Sequence, residues 1–144
     1  MREILFRAKR VDTGEWVVGS LIQTSYFRSI RSWISSEQED KARLREISSN
    51  QAVWRAFEVR TDTICQCTGL KDKNGKMIWE NDIVNCFEAE CCGKISWNES
   101  EAGFYFDVLL EDGTYEEEHI YDYEDCMMVI GNIFDNPELL EVGE

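Results

Sequence analysis

Apolar and polar residues alternate in short runs along this chain, and turns rich in glycine, asparagine and aspartate separate the runs. Alternation of this period puts successive side chains on opposite faces of a strand. Ile4 to Lys9 and Trp16 to Ile22 flank Asp12-Thr13-Gly14 and predict a hairpin, and Tyr26 to Ile34 predicts a third strand. Ile64 to Thr68 and Met77-Ile78-Trp79 flank Asn74-Gly75, residues that tolerate the positive φ of a tight turn. A second turn at Glu80-Asn81-Asp82 leads into Ile83 to Phe87, with Gly93 to Trp97 as its neighbour. Phe104, Phe106, Val108 and Leu110 alternate with Tyr105, Asp107 and Leu109, giving one apolar face. Asp112-Gly113 turns the chain into Thr114 to Tyr121, and Met127 to Phe134 is the last predicted strand.

One segment breaks the alternation. Ser36-x-x-Glu39 is a capping-box signature, and Glu37 with Lys41 and Glu39 with Arg43 stand four apart. They predict a solvated peripheral helix through Ile47, with a thin apolar stripe of Ala42, Leu44 and Ile47, ended by Ser48-Ser49-Asn50. Pro137 suits the first position of a terminal helical turn over Glu138 to Glu141. The expected architecture is mainly β within a single domain 1–144: an N-terminal hairpin and helix subregion over 1–60, then a small antiparallel β-barrel over 61–144. Its predicted core is Trp79, Trp97, Phe104, Phe106, Val108, Ile130 and Ile133, with Trp16 and Ile4 at the junction.

Composition supports a folded chain: 144 residues, 43% hydrophobic and 12% aromatic, supply a core for one domain. Charge adds a partition that the alternation does not show. Residues 1–80 hold 14 basic and 11 acidic side chains, whereas residues 81–144 hold one basic residue, Lys94, and 18 acidic ones. The net charge of −14 opposes unassisted adhesion to nucleic acid or to an anionic membrane. No apolar stretch approaches the roughly 20 residues of a membrane span, and the apolar part of the first ten residues is too short for a signal peptide. A cytoplasmic protein is the expectation.

Six cysteines in such a chain read as reduced thiols. Cys65 and Cys67 share a strand face too close in sequence for a favourable bridge, and adjacent Cys91 and Cys92 point to opposite faces. There is no C-x-x-C pair, so Cys86, Cys91, Cys92, Cys126 and His119 would converge on zinc only by a coincidence of fold. Enzyme chemistry finds no foothold either. His119 is the single histidine and follows Glu116-Glu117-Glu118, no nucleophile is placed beside it, and Asn74-Gly75-Lys76-Met77 lacks the hydroxyl of a phosphate-binding loop. No cofactor, catalytic residue or metal is therefore expected.

The run Thr63-Ile64-Cys65-Gln66-Cys67-Thr68-Gly69-Leu70-Lys71-Asp72-Lys73-Asn74-Gly75-Lys76-Met77-Ile78-Trp79-Glu80-Asn81-Asp82-Ile83-Val84 resembles the YopX family of phage and prophage proteins. The opening Met1 to Ala8 and the ending Val129-Ile130-Gly131-Asn132-Ile133-Phe134-Asp135-Asn136-Pro137-Glu138-Leu139-Leu140 are similar to that family as well, so the resemblance spans the chain. Thr68, Gly69, Leu70, Asp72, Gly75, Asp82, Gly131, Asn132 and Pro137 match its signature positions, while Asn81 stands where the family usually has Gly. The resemblance implies a largely β protein of phage origin with no established activity. For the signature residues, backbone freedom, turn hydrogen bonds and helix initiation are the simpler explanation.

Three functional readings follow. The first is a non-enzymatic binding or scaffold module that associates with its own copies, basic face on acidic face, or with a host or phage protein. The second is an acidic mimic of DNA built on Glu111, Asp112, Glu116 to Glu118, Asp122, Glu124 and Asp125. The third is a nucleic-acid binder using Tyr26, Phe27, Arg28, Arg31 and Trp33, with Lys71, Lys73 and Lys76. Repulsion from the acidic C-terminal half disfavours the last.

Overall fold

A computed structural model describes residues 4–36, 45–49, 52–123 and 125–142, which form two antiparallel sheets. The chain divides into two compact units, Met1–Gln66 and Cys67–Glu144.

In the first unit the strands are β1 (Phe6–Lys9), β2 (Trp16–Tyr26), β3 (Ser29–Ser35), β4 (Arg45–Ser49), β5 (Ala52–Val59) and the opening residues of β6 (Cys65–Lys71). They lie in the order β4-β5-β3-β2-β1-β6. The predicted hairpin pairs Phe6 with Gly19 and Lys9 with Trp16, and the third strand pairs with β2 from Ser20↔Ser35 to Tyr26↔Ser29. Ala8, Val17, Ile34, Phe57 and Val59 form the core. The guanidinium of Arg10, itself buried, lies 4.1 Å over the ring of Phe57 and donates to both carboxylate oxygens of Asp12, at 3.0 and 2.9 Å.

The helix expected through Ile47 is not found where its end is described, since Arg45–Ser49 is strand β4, paired with β5 from Arg45↔Ala56 to Ser49↔Ala52. The rest of that helix, 37–44, lies outside the described residues. Side-chain pairs four apart contribute only about 0.2–0.5 kcal/mol each. A short helix with a thin apolar stripe has little packing to stabilise it, whereas a five-residue ladder ties this segment to β5.

The second unit holds the remainder of β6, β7 (Met77–Trp79), β8 (Asp82–Cys86), β9 (Cys91–Asn98), β10 (Gly103–Leu109), β11 (Tyr115–His119) and β12 (Met127–Asn132). Its five-stranded sheet runs β11-β10-β9-β8-β12, and β7 pairs with β6. The barrel expected over 61–144 is not closed: among the described residues no pairing joins the outer strands β11 and β12. A 3-10 turn, Ile120–Tyr123, follows β11. It buries Ile120 in the core and stacks Tyr123 on Phe106 at 4.9 Å and 14°, so side chains cover the sheet there instead of a further ladder.

Ile78, Val84, Cys86, Ile95, Phe106, Ile120 and Met127 form the second core. Of the predicted core, Phe106 and Trp79 are buried, Phe104 and Val108 pack against its margin, and Trp16, Ile130 and Ile133 are half-buried. Two expectations fail. Trp97, 42% exposed, sits one residue from the end of its strand with its ring edge-on to Phe104, and Ile4, 56% exposed, precedes the first strand. The terminal turn forms over Pro137–Leu140 with the proline at its start.

Candidate functional site

The signature residues form three knots of backbone hydrogen bonding. Thr68 Oγ1 donates to the Ile78 carbonyl at 2.6 Å and accepts from the Leu70 amide at 3.1 Å, while Gly69 next to it has φ of 81°. Asp72, buried in the turn between β6 and β7, accepts from the amides of Asn74 and Lys76 at 2.9 Å through Oδ1 and from the Val129 amide at 3.0 Å through Oδ2. The same turn places Gly75 at φ 83°, where a side chain would be strained. Burial opposes ionisation of Asp72, but the three amides and the nearby Lys76 outweigh it and hold the carboxyl below its ordinary value.

Asp82 Oδ2 accepts from the Trp79 amide at 2.8 Å. Asn132 Oδ1 accepts from the amides of Phe134 and Asp135 at 3.0 and 2.9 Å, and its amide group donates to Asp135 Oδ2 at 3.1 Å. Gly131 is required beside it, because a Cβ there would lie 2.8 Å from Cγ of Asn136. Pro137 then starts the final turn. These residues tie turns to strands and are spread over several elements of the second unit.

Two other places gather exposed or unsatisfied chemistry. The first is the hairpin tip between β2 and β3. Phe27 and Arg28 have φ of 51° and 80°, left-handed values that a non-glycine residue rarely adopts. Tyr26 is 76% and Phe27 83% exposed, their rings in edge contact at 4.5 Å, with exposed Ile30 and Arg28 beside them. Of the set proposed for single-stranded nucleic acid, the structure brings these together, while Lys71, Lys73 and Lys76 are exposed residues of the second unit. Trp33 is buried under the Arg31 guanidinium at 4.9 Å, and Arg31 pairs with Glu58 at 2.7 Å. Lys73 pairs with Glu88 at 3.8 Å.

The second place is the outer face of the five-stranded sheet. While Phe104, Phe106 and Val108 face the core, Tyr105 and Asp107 lie on the other face of β10, beside Ser96 and Lys94 of β9 and His119 and Glu117 of β11. Asp107 is only 9% exposed, and its Oδ1 is buried without a hydrogen-bond partner. Burial pushes its carboxyl above the ordinary range, with a further push from Glu117; Ser96 and Lys94 pull the other way. Around it, the Lys94 ammonium stands 4.5 Å over the ring of Tyr115, Asn98 donates to both Glu117 oxygens at 3.3 and 3.1 Å, and the rings of Tyr105 and His119 are 5.2 Å apart. Nothing in the sequence motifs pointed to Asp107. The available signal was an aspartate inside an alternating strand, where this residue type is depleted.

The cysteines are all free thiols. Cys86 and Cys126 both donate to the Tyr123 carbonyl, at 4.0 and 3.5 Å, and burial is the main cause that pushes the Cys86 thiol up. Cys91 pairs with Cys86 across the hairpin. Among the described residues no group of three or more His, Cys, Asp or Glu side chains is arranged to hold a metal ion. His119 rests on Tyr105, with its own strand neighbours Glu117 and Glu118 alongside.

The sequence profile described as YopX protein matches residues 5–141. The chain belongs to the YopX family. Among solved structures, this YopX chain is similar to the crystal structure of protein EF1440 from Enterococcus faecalis, with 25% identity, a TM-score of 0.46, and coverage of 96% of this chain and 99% of that one. No curated protein matches it significantly. Where the YopX resemblance places Gly before Asp-Ile-Val, Asn81 adopts φ of 69°, a conformation that asparagine tolerates better than most residues. Its backbone donates to Ile95 at 2.8 Å and accepts from Ile133 at 3.0 Å.

Proposed function

We propose that this YopX protein is a phage- or prophage-borne, non-enzymatic binding module of the bacterial cytoplasm that assembles with copies of itself. The observation that carries the reading is the division of charge between the two compact units. Residues 1–66 hold 11 basic and 9 acidic side chains, a net of +2, and residues 67–144 hold 4 basic and 20 acidic, a net of −16. Opposite potentials on separate units favour encounter between copies in a defined orientation. Among the described residues, no helix is long and apolar enough to cross a membrane, which accords with action in solution.

Light scattering at low and high salt tests this. The expected result is a defined oligomer at low salt that dissociates as salt rises and the Debye length shortens. A monomer at every salt overturns it. Nucleic-acid binding competes through Tyr26, Phe27 and Arg28, which have the aromatic and cationic character of a stacking platform. A mobility shift with short DNA or RNA would replace self-assembly by that reading.

A further inference from the structure

We propose that Asp107 and Glu117, on the outer face of the second unit's sheet, accept the Arg28 guanidinium presented by the Tyr26–Ile30 hairpin tip of a second copy. The inference rests on the self-assembly reading and names the contact that performs it. A buried carboxylate oxygen without a partner is uncommon in a folded protein, because the desolvated acceptor costs free energy until a donor reaches it. Asp107 Oδ1 is such an atom. Glu117 stands directly opposite Asp107 in the register of β10 and β11, so two carboxylates face one another across a strand pair, an arrangement that repels itself until a cation arrives. Glu117 carries one neutral donor, the Asn98 amide, which leaves it acceptor capacity.

The chemistry of the occupant follows from those acceptors. A guanidinium offers five donors in a planar fork, enough to serve both carboxylates at once, and it stacks on aromatic rings. Tyr115 shows that this face holds a cation on a ring, since the Lys94 ammonium lies over it while Asp107 Oδ1 goes without a bond. Lys94 pairs with Asp107 in the strand register and is a long flexible side chain, so an incoming guanidinium displaces it at small cost.

Arg28 is the matching donor. It is exposed at the end of a hairpin, in a left-handed conformation shared with Phe27, and flanked by exposed rings that extend the contact beyond one ion pair. The donor belongs to the unit of net positive charge and the acceptors to the unit of net negative charge.

The experiment is a charge exchange on the full chain, read by sedimentation at low salt. Arg28→Glu and Glu117→Lys are both surface changes, and Asp107→Asn keeps the shape of the buried side chain. Each alone is expected to weaken self-association about tenfold or more. An equimolar mixture of Arg28→Glu with Glu117→Lys is expected to regain association, because Arg28 of the second variant meets the intact Asp107 and Glu117 of the first, and the carboxylate introduced at the tip of the first meets the ammonium introduced on the sheet of the second. Thermal melting of each variant establishes that it folds. If the parent associates but the variants associate equally well, or the mixture stays monomeric while both variants are folded, the contact is wrong and the self-assembly reading stands. If the parent is monomeric at every salt, the self-assembly reading and this contact both fail.

Discussion

Two buried aspartates, Asp72 in the turn after β6 and Asp107 in the middle of β10, are held in opposite ways. Three backbone amides converge on Asp72, whereas Asp107 keeps an oxygen that nothing meets. The carboxyl of the first is therefore held below its ordinary pKa, and burial pushes that of the second above it. The contrast separates two uses of one residue type. Asp72 closes a turn onto β12 and is satisfied by this chain alone, while Asp107 leaves an acceptor that the chain does not fill. The signature position is the satisfied one.

The scale for these effects comes from Phe106, the neighbour of Asp107 that points into the core and is fully buried. Phe106→Ala is expected to cost about 3–5 kcal/mol in chemical denaturation. An unchanged midpoint would place Phe106 outside the core and reverse the assignment of faces on which the comparison stands. Asp72→Ala comes next. Removing the carboxylate strands the amides of Asn74, Lys76 and Val129, and the expected loss is about 3 kcal/mol. A loss below about 1 kcal/mol would mean that water replaces the side chain freely and that the turn does not depend on it.

Asp107→Asn is expected to act in the other direction. It removes a charge that burial and Glu117 disfavour more than Ser96 and Lys94 favour it, without changing shape, so the folded monomer at neutral pH should gain about 1 kcal/mol. The same substitution is the one expected to weaken association between copies. Stability and association thus move oppositely for Asp107, and together for a residue whose role is only to hold the fold. A destabilised Asp107→Asn would show that Oδ1 is satisfied in solution and would remove the contrast.

The β character of the chain was legible because turns and alternation coincide. Asn74-Gly75 and Asp112-Gly113 sit where the hairpins turn, and Gly75 and Gly113 carry the positive φ that such turns use. The strands at Phe6–Lys9, Trp16–Tyr26, Gly103–Leu109 and Met127–Asn132 follow apolar runs visible by eye. Sheet closure was not legible, since alternation tells which face a residue takes and not whether outer strands meet. The strand at Arg45–Ser49 was missed because the helix signals there are weak against a hairpin ladder with the very next strand, residues 52–56. Gly131 owes its necessity to the side chain of Asn136, a contact no spacing rule encodes. The hairpin tip was not legible: Tyr26 to Ile34 reads as one strand, whereas Tyr26 ends β2, Phe27 and Arg28 make the turn and Ser29 opens β3. Asp107 was placed on the polar side of its strand correctly, yet its missing partner depends on where Lys94 and Glu117 lie, which only the register reveals.

The smallest effect is the pH dependence of the difference between the two aspartates. Asp72 has a lowered carboxyl, so its stabilisation is present above the unfolded value of about 3.9 and is lost as pH falls through the lower folded value. Asp107 has a raised carboxyl, so its contribution is fully present below about 3.9 and is lost as pH rises through the higher folded value. With 29 acidic residues, the stability of the parent changes in acid for many reasons at once, and only differences between variants isolate these groups. Melting of the parent, Asp72→Asn and Asp107→Asn over the same buffers supplies them. The deficit of Asp72→Asn should hold constant from neutral pH to about 4 and shrink below it, whereas the advantage of Asp107→Asn should already shrink as pH falls towards about 4 from above. Coincident pH dependence of the two differences would mean that the aspartates share one environment, and the distinction between a closed turn and an open acceptor would fall with it.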